Sequence, residues 1–136
     1  MRSYLLDTSV IVDYLRNKPD ALDLVNNLDG EITSSFVCLA ELYEGVFRVK
    51  NKVTVENGVV TFFEGLTKIY GLDEYIAHTF GEIRAGLKQQ GKVIEDLDIL
   101  IGATCLVNNL TLVTFNPGHF QRISNLEVMP SPHPKN

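Results

Sequence analysis

Short apolar runs alternate with longer helical patterns along this chain, and this alternation constrains the fold more than any other feature. Runs typical of strands lie at 3–6, 31–34, 68–72, 110–114 and 127–129. Segments with apolar residues at helical spacing lie between them, at 10–16, 19–28, 36–48, 53–66, 74–90 and 97–108. Right-handed crossovers join such strands into a mostly parallel sheet. The sequence therefore predicts an α/β fold with four or five strands and helices on both faces.

The length and composition fit one globular domain. The chain has 136 residues, of which 45% are hydrophobic and 21% charged, close to the average of soluble proteins. We expect a single domain over 1–130 and an irregular, proline-rich tail over 131–136. No apolar run approaches the ~20 residues of a membrane helix, and Asp7 comes too early for a secretory signal. The default expectation is a cytoplasmic protein.

Acidic and polar residues stand where the predicted strands end. Asp7 directly follows the first strand, and Glu41 lies in the helix after the second. Asp98 opens the helix before the fourth strand, and Asn116 comes just after that strand. Ligands of parallel α/β sheets bind beyond the carboxyl ends of the strands, where the strand order reverses. We therefore expect these four side chains at one edge of the sheet.

Several acids at one edge point to a bound cation. Two carboxylates ~5 Å apart repel by about 1 kcal/mol in water, and by more at lower dielectric. Three together are unfavourable unless protons or cations compensate. Mg²⁺ and Mn²⁺ prefer oxygen ligands of this kind, and such cations promote phosphodiester hydrolysis. The acids therefore predict a site for one or two divalent cations.

Taken singly, these acids also have structural interpretations. Asp7 could favour the start of the following helix by its charge, with Thr8 or Ser9 as the predicted cap of that helix. Asp96 could cap the helix that holds Asp98. Because the two are two residues apart, they would not share a helix face.

Other polar residues leave similar alternatives open. Glu41 could belong to a solvated helix face, on the same side as Glu44 and Arg48. His119 could contact a phosphate near the site or serve only in packing, and His78 is predicted to be structural.

The charge distribution matters more than the net charge of −5. That value taken alone argues against nucleic acid, which prefers basic partners. Two clusters of basic residues weaken that argument, because each could contact nucleic acid, although each could also form a solvated face. The clusters are Arg48, Lys50 and Lys52, and Arg84, Lys88 and Lys92.

The two cysteines, Cys38 and Cys105, lie in apolar helical patterns and form no metal-binding motif. We expect two buried free thiols, as is common for unpaired cysteines.

The order of the motifs resembles that of the PIN domain in VapC-type toxins. Each motif is weak alone, but the ordered set is specific and covers nearly the whole chain. The matching segments are 5–9 (LLDTS), 34–35 (SS) followed by 40–42 (AEL), 83–92, 96–103 (DLDILIGA) and 112–120 (LVTFNPGHF).

The resemblance implies a three-layer α/β/α fold and an endoribonuclease that uses Mg²⁺ or Mn²⁺. By position, Asp7 and Asp98 match the metal ligands of the family and Glu41 its second acid, with Asp96 as a lesser candidate. Family members are usually homodimeric toxins that an antitoxin holds inactive. Their substrates are typically structured RNAs such as transfer RNA or ribosomal RNA.

Further residues follow from the same resemblance. Thr114 and Asn116 match the motif after the fourth strand, and Asn116 joins the predicted catalytic set. Some members carry Asp where this chain has Asn116, so the expectation of a second tightly bound cation is weaker. Thr8, Ser9, Thr114 and Arg84 are candidates for positioning the substrate.

Other α/β classes fit less well. A response-regulator receiver needs a phosphoacceptor Asp at the end of a middle strand, whereas the second strand ends in Ser34-Ser35. A haloacid-dehalogenase-type phosphatase needs a second Asp at the position of Ser9. The ten glycines form neither a GxG motif nor a P-loop. The remaining alternative is a PIN domain that binds RNA or protein without cleavage.

Overall fold

The chain forms a parallel sheet between layers of helices. The computed structural model describes residues 2–130, so the predicted tail, 131–136, lies outside the described residues. The strands are β1 (Arg2–Leu6), β2 (Gly30–Ser35), β3 (Lys68–Tyr70), β4 (Thr111–Val113) and β5 (Val128–Met129). Their order is β3-β2-β1-β4-β5, and every neighbouring pair is parallel. The predicted α/β class is confirmed.

Helices connect the strands, and local capping explains where two of them begin. Ser35 Oγ accepts from the Cys38 N–H at 3.2 Å at the start of the helix Phe36–Phe47. Asp73 accepts from the Ile76 N–H at 2.9 Å at the start of the helix Glu74–Gln89. No helix within 2–130 combines the length and the apolar character that crossing a membrane would need. The helices are α1 (Thr8–Leu15), α2 (Pro19–Asn26), α3 (Phe36–Phe47), α4 (Lys52–Glu64), α5 (Glu74–Gln89) and α6 (Asp96–Asn108), followed by a 3₁₀ helix (Pro117–His119).

The central strand β1 divides the interior into two cores, because successive side chains of a strand point to opposite faces. Tyr4 and Leu6 pack on one face, with apolar residues of α1, α2 and α4. Leu5 packs on the other face, with Ile101 and Cys105 of α6. Each fully buried Leu or Ile contributes about 1.5–3 kcal/mol. The two cores confirm the predicted three-layer arrangement.

The strand order reverses beside β1. From β1 the chain passes to β2 and β3 on one side, and then returns to β4 on the other side. The carboxyl ends of β1 and β4 therefore flank a crevice of the kind that binds ligands in parallel sheets. Asp7 and Thr114 directly follow these two strands.

Candidate metal centre

Four carboxylates line one cleft of about 390 Å³ at the carboxyl edge of the sheet, and three of them are the predicted acids, which come from three segments. Asp7 follows β1, Glu41 lies in the second turn of α3, and Asp98 lies in the first turn of α6. Residues far apart in the sequence thus meet at the strand-order reversal. The cleft is also lined by Thr8, Ser9, Glu95, Leu97, Asn116 and His119.

Asp7 is held in one orientation by hydroxyl groups. Its side chain is buried, and its Oδ2 accepts from Thr114 Oγ1 at 2.7 Å and from Ser9 Oγ at 3.2 Å. Its backbone N–H donates to the Val113 carbonyl at 2.9 Å, which ties the start of α1 to β4. Two hydroxyl groups therefore orient the carboxylate that lines the cleft.

The predicted cap of α1 is wrong. The helix begins at Thr8, two residues earlier than expected, and Asp7 itself occupies the N-cap position. The Asp7 carbonyl accepts the N–H groups of Val10 and Ile11. Its side chain makes no capping hydrogen bond, because the carboxylate is turned towards Thr114.

Glu41 is half-buried rather than part of a solvated face. Its Oε1 accepts from Thr8 Oγ1 at 2.6 Å. Burial raises the pKa of Glu41 above its usual value, the Thr8 hydrogen bond lowers it, and the charges of Asp7 and Asp98 raise it further. The solvated acid of this helix is Glu44, which forms an exposed ion pair with Arg48 at 3.6 Å.

Asp98 has a partner that the sequence interpretation did not assign. His119 Nδ1 lies 3.3 Å from Asp98 Oδ2, and the side chains are 59% and 15% exposed, respectively. Burial raises the pKa of Asp98, His119 opposes this shift, and the charge of Asp7 adds to it. The only sequence signal for this pair was the position of His119 after β4. The predicted structural His78 is exposed.

Thr114 connects the segment after β4 to Asp7. Thr114 Oγ1 accepts from the Asn116 N–H at 2.9 Å and lies 3.4 Å from Ser9 Oγ. Ser9 Oγ also accepts from the Phe115 N–H at 3.1 Å. These bonds place the exposed side chain of Asn116 at the mouth of the cleft.

Three predicted site residues do not line the cleft: Thr114, which is buried against Asp7, and the surface residues Arg84 and Asp96. Arg84 Nε donates to Asp96 Oδ1 at 2.8 Å, and both side chains are substantially exposed. Asp96 is the first residue of α6, whose N-cap is Glu95, so the alternative interpretation of Asp96 as the cap does not hold. Since Asp96 and Asp98 differ by two helix positions, they face different directions.

A thiol lies beneath the acids. Cys38 Sγ and carboxylate oxygens of Asp7 and Glu41 all lie within 4.8 Å of one another. Both cysteines are buried and free, as predicted. Burial, followed by the charge of Asp7, raises the pKa of Cys38 to about 11. The group therefore stays a neutral thiol at neutral pH and is a weak ligand.

Without the Cys38 thiol, that group of ligand atoms keeps the carboxylates of Asp7 and Glu41, and Asp98 lines the same cleft. Asp7, Glu41 and Asp98 offer carboxylate oxygens, the ligand type that Mg²⁺ and Mn²⁺ prefer. Their mutual repulsion contributes to the raised pKa values of Glu41 and Asp98, and a cation would relieve it. The chemistry of the donor set is thus consistent with a metal centre.

The fold and the acidic cleft define the class of protein. The PIN domain family model matches residues 4–126. The chain belongs to the PIN-domain family.

Within that family the chain is similar to VapC proteins. It is 34% identical over 128 residues to the Ribonuclease VapC2 of Rickettsia felis, covering 90% of this chain and 93% of the relative. It is 30% identical over 130 residues to a tRNA(fMet)-specific endonuclease VapC of Shigella flexneri, covering 94% and 97%. A chain in the crystal structure of VapBC2 from Rickettsia felis bound to a promoter DNA fragment superposes with a TM-score of 0.85 at 30% identity, covering 93% and 96%. The predicted VapC-type resemblance is confirmed.

Proposed function

We propose that this chain is a metal-dependent endoribonuclease in which Asp7, Glu41 and Asp98 bind Mg²⁺ or Mn²⁺. The observation that carries the proposal is the convergence of Asp7, Glu41 and Asp98 on one cleft, although burial and the charge of Asp7 disfavour the ionised forms of Glu41 and Asp98. A module that only binds RNA or protein has no use for such repulsion, which disfavours the non-catalytic alternative. The names of the relatives, a ribonuclease and a tRNA(fMet)-specific endonuclease, support an RNA substrate.

The protein's own residues orient the acids for this role. When bound, the cation supplies an activated water and offsets charge that develops on the phosphodiester. Thr114 and Ser9 direct Oδ2 of Asp7, and Thr8 directs Oε1 of Glu41. Hydrogen bonds of this kind orient metal ligands and raise affinity for the ion. Thr8, Ser9 and Thr114 therefore act on the metal ligands rather than directly on the RNA.

Asn116 and His119 lie where the RNA would enter. The amide of Asn116 can donate to a phosphate oxygen, and its position at the mouth of the cleft suits that role. His119 favours the charged form of Asp98 through its contact with Oδ2. Arg84 is paired with Asp96 outside the cleft, so any contact it makes with RNA is to a flanking part of the strand.

The nuclease is tested by Asp98→Asn. We expect purified wild-type protein to cut cellular RNA into discrete fragments with Mg²⁺ or Mn²⁺ and to leave it intact with EDTA. Asp98→Asn removes a direct ligand, so its activity should fall at least about 100-fold, beyond the 10–100-fold typical of outer-shell changes. A gel of total RNA, followed by sequencing of the fragment ends, identifies the target.

The control for this experiment is Glu44→Gln. Glu44 lies on the same helix as Glu41 but is exposed, with a side chain 72% accessible. Its substitution removes an acidic charge without touching the cleft and should leave cleavage unchanged. Cleavage by Asp98→Asn at the wild-type rate would refute the assignment. Mn²⁺ titration of the wild type and of Asp98→Asn measures how many ions each protein binds.

We further propose that the chain is the cytoplasmic toxin of a toxin–antitoxin pair. The structural relative from Rickettsia felis is a VapBC2 complex bound to promoter DNA. For this chain we accordingly propose an antitoxin partner, a homodimeric state, and transfer or ribosomal RNA as the target. The tRNA(fMet)-specific relative favours transfer RNA as the first substrate to examine.

Expression in a bacterial host tests the toxin role. Wild-type protein should arrest growth, whereas Asp98→Asn, produced to the same level, should not. Unimpaired growth with folded wild-type protein would refute the toxin role without refuting nuclease activity. Size-exclusion chromatography with light scattering measures the oligomeric state separately.

A further inference from the structure

A second pocket adjoins the acidic cleft, and its three basic residues outnumber the two acids in its lining, Glu95 and Asp96. It has a volume of about 250 Å³ and lies between the end of α5 and the start of α6. Its cationic residues are Arg84, Lys88 and Lys92, and Leu87 and Ile99 form part of its apolar lining. We call it the basic pocket. Glu95 lines both this pocket and the cleft, so the two are direct neighbours.

The backbone that carries the two lysines is fixed. At the end of α5 the Lys92 N–H donates to the Leu87 carbonyl at 2.9 Å, and the Gly91 N–H donates to the Lys88 carbonyl at 3.0 Å. Gly91 has a φ of 69°, the left-handed conformation that this helix ending requires. The chain reversal therefore holds Lys88 and Lys92 over one pocket and reduces the ordering cost of binding.

The lysines of the basic pocket are available for a ligand. Arg84 is bound to Asp96 through its Nε. Among residues 2–130, neither Lys88 nor Lys92 has an ion-pair partner. Arg122 donates to the Val93 carbonyl at 3.5 Å and adds a further cation to the same loop. This loop thus presents positive charge on a protein whose net charge is −5.

The lining indicates the part of a nucleic acid that fits. None of the side chains that form the basic pocket is aromatic, so it offers no surface on which a base could stack. Lys and Arg groups suit phosphate oxygens, and such contacts set the position of a strand without reading its sequence. An acidic protein chain would find the same charges, but the adjoining cleft, where a phosphodiester is proposed to be cut, favours RNA.

We propose that the basic pocket binds a backbone phosphate of the RNA strand whose scissile bond lies in the acidic cleft. This inference rests on the proposed nuclease function and names the positioning residues, Lys88 and Lys92. A phosphate bound there holds the RNA strand on an otherwise acidic protein. It also sets the position of the strand relative to the cleft on the other side of Glu95. The contact contributes affinity for single-stranded RNA of any sequence.

The test is the salt dependence of RNA binding. A short fluorescein-labelled polyuridylate is titrated in EDTA, which leaves it uncut, at several salt concentrations. Each phosphate contact adds about 0.7 to the slope of log Kd against log salt for single strands. Because both lysines are proposed to contact the same phosphate, the double variant Lys88→Gln/Lys92→Gln should lower that slope by about 0.7 and weaken binding at low salt by roughly tenfold.

The matched control is Lys18→Gln/Lys68→Gln. Lys18 follows the end of α1 and Lys68 begins β3, so both lie away from the carboxyl edge. Both double variants lose two lysines and have the same net charge, −7 instead of −5. The control should keep the wild-type slope. Melting temperatures of all proteins are recorded because Lys88 also favours the C-terminal end of α5 by its charge.

The outcomes separate this inference from the proposed function. An unchanged slope in Lys88→Gln/Lys92→Gln, an equal loss in both double variants, or no RNA binding by the wild type overturns the basic pocket as a phosphate site. If the wild type still cuts RNA with Mg²⁺ in those cases, the nuclease stands. If only Lys88→Gln/Lys92→Gln loses slope and the wild type cuts no RNA, the pocket stands and the nuclease falls. A loss confined to binding of a polyglutamate peptide would assign the pocket to an acidic protein and overturn the proposal.

Discussion

At the scale of single residues, the hydroxyl of Thr114 joins three parts of the candidate metal centre. It donates to Asp7 Oδ2 at 2.7 Å, accepts from the Asn116 N–H at 2.9 Å and lies 3.4 Å from Ser9 Oγ. Thr114 is fully buried, so water cannot replace these contacts. The orientation of Asp7 and the course of the loop after β4 therefore depend on the same oxygen atom.

We predict that Thr114→Val weakens both metal binding and the fold. Loss of a group that orients a ligand lowers metal affinity by roughly 10–100-fold. The unpaired Asn116 N–H and the lost bond to Asp7 should reduce the free energy of unfolding by about 1–3 kcal/mol. Calorimetric Mn²⁺ titration and urea unfolding measure the two effects.

Thr104→Val is the control for that substitution. Thr104 is also buried, and its Oγ1 donates to the Leu100 carbonyl at 2.7 Å within α6. Its replacement should change stability and leave the affinity for Mn²⁺ unchanged. Wild-type affinity in Thr114→Val would contradict the orienting role.

The ionisation of Glu41 affects the stability of the folded protein. Its pKa in the folded protein is raised, chiefly by burial. Folding therefore disfavours the ionised form of Glu41. This lowers the free energy of unfolding at pH values above the folded-state pKa, and the loss is relieved as pH falls through that pKa. In EDTA at neutral pH, Glu41→Gln should be more stable than wild type by on the order of 1 kcal/mol, the size of one carboxylate repulsion. Thermal unfolding near neutral pH and near pH ~4 measures this difference, which should shrink in acid.

Glu44→Gln again serves as the control, because Glu44 is exposed and its effect should stay within about 0.5 kcal/mol. Added Mn²⁺ should reverse the order of Glu41→Gln and wild type, since only the wild type keeps the full set of ligands. Lower stability of Glu41→Gln in EDTA would show that the Thr8 hydrogen bond outweighs the repulsion.

At the scale of elements, α6 approaches the segment after the 3₁₀ helix closely. A Cβ on Gly102 would lie 2.7 Å from Ile123 Cδ1 and 3.6 Å from Leu126 Cδ2. Gly81 in α5 has nothing within 4 Å of the same position. Two glycines in helix interiors therefore have opposite roles, because only Gly102 permits close packing.

We predict opposite stability changes at these glycines. Gly81→Ala should stabilise the protein by about 0.5–1 kcal/mol through helix propensity. Gly102→Ala has the same advantage, but overpacking costs about 1–3 kcal/mol, so it should be neutral to destabilising. Chemical unfolding of both variants measures the contrast.

Ile123→Val removes the methyl group that a Cβ on Gly102 would meet. In that background Gly102→Ala should become stabilising, and the coupling between the two positions gives the cost of overpacking. If Gly102→Ala changed the free energy of unfolding equally in the wild type and in Ile123→Val, the overpacking would not come from the contact with Ile123.

At the scale of the whole molecule, the cleft joins β1, α3, α6 and the segment after β4. A cation that binds only the folded protein should therefore stabilise the entire domain, by about 2.7 kcal/mol at a concentration 100 times its Kd. Asp98→Asn should lose most of this gain. Because burial raises the pKa of Glu41 and of Asp98, protons should compete with the cation at higher pH than for exposed carboxylates. Urea unfolding with and without Mn²⁺ across a pH series measures the effect, and a gain in Asp98→Asn equal to that of the wild type would contradict it.

The sequence by itself determined the elements and the class of the fold. Helical and strand periodicities are local, so they predicted each strand and each α-helix to within a few residues, but not the 3₁₀ helix Pro117–His119. The rule that parallel sheets bind ligands at their carboxyl edge placed Asp7, Glu41 and Asp98 together before any contact was known. Their roles as metal ligands stay predictions.

Only the tertiary structure decided which groups pair. The contact of His119 with Asp98, the ion pair of Arg84 with Asp96 and the thiol of Cys38 beneath the acids join residues from different elements. Such contacts depend on how helices pack and which way each side chain turns, and neither periodicity nor spacing encodes this. For the same reason the sequence showed three cations at intervals of four, whereas the chain reversal after α5 made them one pocket beside the cleft.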